Sequence, residues 1–235
     1  MSDNIYNNGS YVADNPTWHE EDSDWKSEIV HAMLKKNNLN PRSICEVGCG
    51  SGEILHSLRK KYNDNVRLIG YDISKYAIEL CNSKNYDGIE FINEDVLSST
   101  FRIEDNLTLL MLIDVIEHIE DYYGALRKVK IMAKYKLFHV PLDLSVSSIL
   151  RSGSLSNVRS KVGHIHYFTK DIFIESLLGQ GYEIVDSEVN VRPIHSNNHR
   201  LAEVAVNRLR NIGSLISTDV SSLILGGASL LVLTR

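Results

Sequence analysis

The stretch Ser43-Ile44-Cys45-Glu46-Val47-Gly48-Cys49-Gly50-Ser51-Gly52-Glu53-Ile54-Leu55 constrains this chain more than any other. Its apolar run (Ile44, Cys45, Val47) reads as a buried strand that stops at three glycines spaced two apart. Ile54, Leu55 and Leu58 then recur at helical spacing. A strand that turns through glycines straight into a helix lets backbone approach a ligand closely. The new helix also presents unpaired N–H groups to a polar or anionic head. The turn predicts a cofactor site and leaves the cofactor open.

The residues beyond the turn predict the architecture. Residues 66–72, 89–93, 107–113 and 135–140 read as further strands, the last stopped by Pro141. Residues 107–113 are almost continuously apolar, as a strand buried on both faces should be. Helical patterns separate the strands: one capped by Ser74, one through Tyr122, Ala125, Leu126 and Val129, and one capped by Thr169. A first helix, capped by Ser23 or Asp24, runs to about Asn37. The alternation predicts an α/β fold with a doubly wound, mostly parallel sheet. Residues 142–161 read as a short helix and an exposed loop, 182–191 and 229–233 as strands, and 201–209 and 220–225 as helix-like. The expected organisation is an N-terminal arm and lid helix over 1–40 and a cofactor-binding domain over 41–235.

Bulk properties exclude several classes. With 235 residues, 43% hydrophobic and 23% charged, the chain can bury the core of one large domain. Its 25 Lys+Arg against 30 Asp+Glu give a net charge of −5, which argues against nucleic acid as the main partner. Cys45, Cys49 and Cys81 form no Cys-x-x-Cys pair, so neither a disulfide framework nor a zinc knuckle is expected. The first residues are polar, and no apolar run approaches the roughly 18 residues of a membrane span. A cytoplasmic protein with no membrane span is expected, and no feature specifies an oligomeric state.

A dinucleotide fingerprint would read Gly-x-Gly-x-x-Gly, with pyrophosphate at the helix N-terminus. Here the spacing is Gly48-x-Gly50-x-Gly52, preceded by Glu46. An acid inside the turn is a poor neighbour for pyrophosphate and suits a ligand bearing an ammonium and a neutral ribose. Asp72 stands at the end of the second strand, Asp95-Val96 just after the third, and Asp114-Val115-Ile116-Glu117-His118-Ile119 just after the fourth.

In these residues the chain resembles class I S-adenosylmethionine-dependent methyltransferases, in order and spacing over residues 42 to 190. The Asp114–Ile119 run is similar to the small-molecule branch typified by ubiquinone- and menaquinone-biosynthesis methyltransferases. The resemblance implies a seven-stranded Rossmann-like sheet whose last strand, 229–233, is antiparallel. It also implies S-adenosyl-L-methionine as cofactor. Gly48, Gly50 and Gly52 would pass under its methionine part, and Glu46 suits its ammonium. Asp72 would accept hydrogen bonds from the ribose hydroxyls. Ile73 and Val96 would sandwich the adenine, Asp95 would accept its exocyclic amine, and Ile113 and Asp114 would lie beside the aminoacyl end.

A sulfonium is already activated, so the protein must align acceptor and methyl carbon, exclude water, and take a proton from a hydroxyl acceptor. His118, just past the fourth strand, is a candidate base; it could equally be a helix-start residue bonded locally. His164 and His166, two apart, face the same way on an extended segment. They supply a base or a substrate contact, and with no third ligand evident no metal is expected. Trp18 lies in a segment that can lid the cofactor, with plain packing as the alternative. Arg151, Arg159 and Lys161 could grip an anionic substrate, as could Arg200, Arg208 and Arg210, although loop cations are usually solvated.

Two absences narrow the acceptor. The fourth strand lacks the Asn/Asp-Pro-Pro-aromatic run of adenine- or glutamine-directed enzymes, and no Pro-Cys nucleophile stands after the fifth. The expected function is methyl transfer to a hydroxyl or amine of a small molecule. A non-catalytic S-adenosylmethionine-binding regulator or partner subunit is the alternative. A nucleotide-dependent oxidoreductase is disfavoured by the glycine spacing and Glu46.

Overall fold

The computed structural model describes residues 20–102, 107–191 and 217–235. Trp18, the arm over 1–15, the helix-like 201–209 and Arg200, Arg208 and Arg210 lie outside these residues. Seven strands form one sheet: β1 (Ser43–Val47), β2 (Arg67–Asp72), β3 (Ile89–Asn93), β4 (Leu109–Ile113), β5 (Tyr135–Pro141), β6 (Ile184–Val191) and β7 (Ala228–Thr234). Their order is β3-β2-β1-β4-β5-β7-β6. β1 to β5 pair in parallel. β7 runs antiparallel to both β5 and β6.

The pattern of apolar residues decides which helices cover which face. All five residues of β4 are buried. Leu109, Met111 and Ile113 point to one side, where they join Val30, Met33 and Leu34 of α1 (Ser23–Lys36) and Leu55 and Leu58 of α2 (Glu53–Arg59). Leu110 and Leu112 point to the other, with Leu126 and Val129 of α4 (Tyr122–Val129) and Phe173 and Leu177 of α7 (Lys170–Gly179). Covered on both faces, the central strands can be apolar throughout. α3 (Lys75–Ser83) is capped by the Ser74 hydroxyl, which accepts from the Ala77 N–H, and α7 by Thr169, which accepts from the Ile172 N–H.

Two local expectations need correction. α1 is preceded by a 3-10 turn, Glu20–Asp22, so Asp22 rather than Ser23 or Asp24 takes the cap position. With φ −98 and ψ −9 it is already helical, and its carboxylate makes no cap bond. Residues 142–161 hold two helices rather than one helix and a loop: α5 (Val146–Leu150) and α6 (Ser154–Val162). Ser145 and Ser148 form a reciprocal capping box for α5. α6 has no buried residue and is bounded by Gly153 and Gly163, both left-handed. A last helix, α8 (Thr218–Leu225), leads into β7. No helix among the described residues is long and apolar enough to cross a membrane.

The glycine turn is shaped as much by packing as by ligand access. Gly52 has φ +76, and a Cβ there would meet the Phe91 ring at 2.6 Å. Gly52→Ala therefore faces both a left-handed backbone and an overpacked ring. It is expected to cost about 2 kcal/mol, read as a lower urea midpoint at unchanged slope. A midpoint equal to that of the parent chain would show that Phe91 yields freely.

Candidate active site

Parallel sheets of this type open at the carboxyl ends of their strands, beside the point where strand order reverses. Here β1 and β4 are neighbours, and a cavity of about 950 Å³ lies there. Glu46, Gly48, Gly50, Asp72, Ile73, Asp95, Val96, Ile113 and Asp114 all line it. Gly52 does not, because it sits one step behind the rim against Phe91. The volume is within the usual range for ligand sites.

Asp72 holds the turn in place. Its Oδ2 accepts the Gly50 N–H at 2.9 Å and its Oδ1 the Ser74 N–H at 2.8 Å. Burial raises its pKa, while those two backbone bonds pull it down. Gly48 and Cys49 donate their N–H groups to the Tyr71 carbonyl, at 2.8 and 3.0 Å, so β1 and β2 enter the turn together.

Glu46 is enclosed, and its Oε2 has no hydrogen-bond partner. Burial raises its pKa to about 8, with Asp72 and Asp114 adding repulsion and Lys26 opposing. Asp114 is the opposite case. Burial disfavours its charge, but Lys26 and His139 outweigh that and hold it well below the usual carboxylate range. Lys26 Nζ lies 2.7 Å from Asp114 Oδ2, and His139 Nδ1 lies 2.6 Å from Oδ1. His139 Nε2 is 2.8 Å from the Ser229 hydroxyl, and the Trp25 ring stands edge-on to the imidazole with centroids 5.9 Å apart. Sequence pattern alone does not single out Lys26 or His139: one is among three lysines on a mixed helix, the other a histidine inside an apolar strand.

The three histidines separate. The Ile165 and His166 N–H groups both donate to the Glu117 carbonyl, at 2.9 and 3.1 Å. This draws residues 164–166 across the 3-10 turn Ile116–His118. His118 and His164 consequently face each other edge-on, centroids 4.9 Å apart, and both line the cavity. His118 Nδ1–H donates to the Gly163 carbonyl at 3.2 Å. His164 Nδ1–H donates to the Asp143 carboxylate at 2.6 Å, which leaves the lone pair on Nε2. His166 turns the other way: its Nε2 donates to the Ile119 and Glu120 carbonyls at 2.9 and 3.2 Å, and it is not among the cavity-lining residues.

Glu117, the sequence neighbour of His118, joins the histidine pair as a third group. It is fully buried, neither carboxyl oxygen has a hydrogen-bond partner, and Oε1 is 3.9 Å from His164 Nε2. Burial and the nearby Asp114 and Asp143 raise its pKa well above the ordinary carboxylate value. One polar atom each from Glu117, His118 and His164 lie within 4.8 Å of one another, an arrangement that can take a cation. Arg151, Arg159 and Lys161 are exposed and do not line the cavity.

Fold and site together define a class of nucleotide-type α/β sites with an acidic glycine turn. A family model described as a methyltransferase domain matches residues 17–187. The chain belongs to that methyltransferase-domain family. It is 26% identical over 131 residues to (S)-coclaurine N-methyltransferase of Thalictrum flavum subsp. glaucum, a match covering 52% of this chain and 36% of that protein. The chain thus spans little more than a third of that relative's length. Among solved structures, it is similar to a SAM-dependent methyltransferase from Archaeoglobus fulgidus (19% identity, 88% of this chain and 93% of that one, TM-score 0.57). It is also similar to magnesium protoporphyrin IX methyltransferase from Synechocystis PCC 6803 with bound SAH (12% identity, 94% and 85%, TM-score 0.59). At these identities the likeness is one of fold. S-adenosylmethionine also suits the residues present, since a buried carboxyl oxygen without a partner on the cavity wall, Glu46 Oε2, is an acceptor for an ammonium.

Asp72→Ala removes both anchors of the turn and is expected to weaken S-adenosylhomocysteine binding at least tenfold by calorimetry; an unchanged dissociation constant refutes the coupling. A second expectation concerns pH. Glu46 stays protonated in the cofactor-free fold up to about 8, whereas in the unfolded chain it ionises near about 4.3. Between those values the fold binds the extra proton, so stability falls as pH rises. Glu117, also shifted upward, acts in the same direction. Glu46→Gln should make the fall in urea midpoint shallower between about pH 5 and about pH 8, and an identical slope would show that the carboxyl ionises freely.

Proposed function

We propose that the chain transfers a methyl group from S-adenosylmethionine to a hydroxyl or amine of a small molecule. The observation that carries the reading is one cavity with two ends: the acid-ringed glycine turn, and the His118–His164 pair. In this reading Gly48 and Gly50 run beneath the methionine part, and Gly52 keeps the turn's shape. Asp72 offers the ribose hydroxyls the lone pairs left after Gly50 and Ser74. Ile73 and Val96 flank the adenine, with Asp95 beside its exocyclic amine. Glu46, Ile113 and Asp114 face the ammonium, and Lys26 is the cation within reach of the carboxylate. The segment up to residue 40 closes the cofactor end, a role supported by Ser23, Trp25 and Lys26 on the cavity wall. Residues 41–235 make up the remaining domain.

When bound, the cofactor supplies a methyl carbon on a sulfonium sulfur, ready for attack. The chain's own residues align the acceptor, exclude water and receive its proton. His164 is the base of choice, because Asp143 fixes its tautomer and stabilises the imidazolium it becomes. His118 orients the acceptor from across the cavity. The coclaurine relative is by name an N-methyltransferase, which supports the amine alternative.

His164→Ala is expected to slow S-adenosylhomocysteine release about a hundredfold in a screen of small hydroxyl and amine acceptors, with cofactor affinity within about twofold. Full turnover in that variant would move the base to His118. Binding of NAD with no response to S-adenosylmethionine in calorimetry would end the reading altogether.

A further inference from the structure

We infer that the acceptor is an amine, which enters as its ammonium and is seated between Glu117, His118 and His164. This deepens the reading above and rests on it. Charge is the first observation. Among the described residues lining the cavity are ten carboxyl side chains and one lysine, with no arginine. That lysine, Lys26, is engaged by Asp114. The cofactor's cationic centres account for the acids around the glycine turn. They do not account for Asp143 on the wall or Glu117 just behind it, which stand beside the histidines. A cation moves into such a field and an anionic acceptor moves against it.

The second observation is independent of net charge. Glu117 is fully buried with no hydrogen-bond partner on either oxygen, a costly state for a polar group. Its carboxyl and the two imidazoles present acceptor atoms within 4.8 Å of one another. A tetrahedral nitrogen donating hydrogen bonds of about 2.9 Å sets its acceptors about 4.7 Å apart. A tetrahedral metal with ligands at about 2.1 Å holds them only about 3.4 Å apart. The 3.9 Å between Glu117 Oε1 and His164 Nε2 falls between these two spacings, so chelation in the test below separates an ammonium from a metal. Three acceptors meet the three donors of an ammonium.

The chemistry balances. The ammonium gives one proton to His164 Nε2, and the nitrogen lone pair so freed forms a bond to the methyl carbon. The carbon–sulfur bond breaks with its electron pair staying on sulfur. The products are a protonated N-methylamine and the neutral thioether S-adenosylhomocysteine.

The test uses the whole chain saturated with S-adenosylhomocysteine and titrated by calorimetry with 2-phenylethylamine, 2-phenylethanol and phenylacetate, which share one apolar body. The amine should bind at least tenfold more tightly than either partner. Glu117→Gln should erase most of that preference while leaving S-adenosylhomocysteine affinity unchanged. If Glu117→Gln does not fold, Asp143→Asn carries the same expectation. Equal or tighter binding of the alcohol or the carboxylate overturns the inference. So does a preference untouched by the variants, or amine binding that disappears on chelation and returns with a divalent cation. Failure to bind S-adenosylhomocysteine at all would count against the methyltransferase reading, whereas normal cofactor binding without amine preference would count against this inference alone.

Discussion

Asp114 holds the site together. It stands at the end of β4 with φ +54, a left-handed conformation that costs a non-glycine residue about 1 kcal/mol or more. Its own N–H donates to the His139 carbonyl at 2.9 Å, and its carboxylate takes Lys26 on one oxygen and His139 on the other. His139 in turn reaches Ser229. One side chain thereby joins α1, β4, β5 and β7 at the carboxyl edge of the sheet. The strained backbone is tolerated because every bond around it favours the same orientation.

Around that anchor the remaining acids divide by what surrounds them. Asp114 is held by Lys26 and His139 and stays ionised, while at Glu46 and Glu117 burial dominates and the protons are kept. The two raised carboxyls make stability fall as pH rises, whereas Asp114 contributes stability that is lost in acid.

The fold was legible because its signals are local. The continuous apolar run of β4, the caps at Ser74 and Thr169 and the glycine turn each specify an element within a few residues. That four acids would meet at one cavity was legible for the same reason: Glu46, Asp72, Asp95 and Asp114 sit at or near strand ends, and parallel strands bring their carboxyl ends together. The grouping of the histidines was not. His164 meets His118 only because two backbone amides from a distant part of the chain bond the Glu117 carbonyl, and Asp143 acquires meaning only through that fold-back. His166, which sequence spacing grouped with His164, is turned outward by the carbonyls of Ile119 and Glu120.

α6 supplies Val158 and Val162 to the cavity wall, yet it buries no side chain and hangs between two glycines. The Tyr167 hydroxyl ties it to the histidine segment by donating to the Leu155 carbonyl at 3.0 Å. Side chains can be exchanged along the inner face of α6 with little effect on whether the protein folds, since the sheet and the apolar clusters on its two faces lie elsewhere. One short helix can thus change the shape of the cavity, while the glycine turn is tied into β1, β2 and α3. Cavity shape and folding stability are, in this molecule, carried by different parts of the chain.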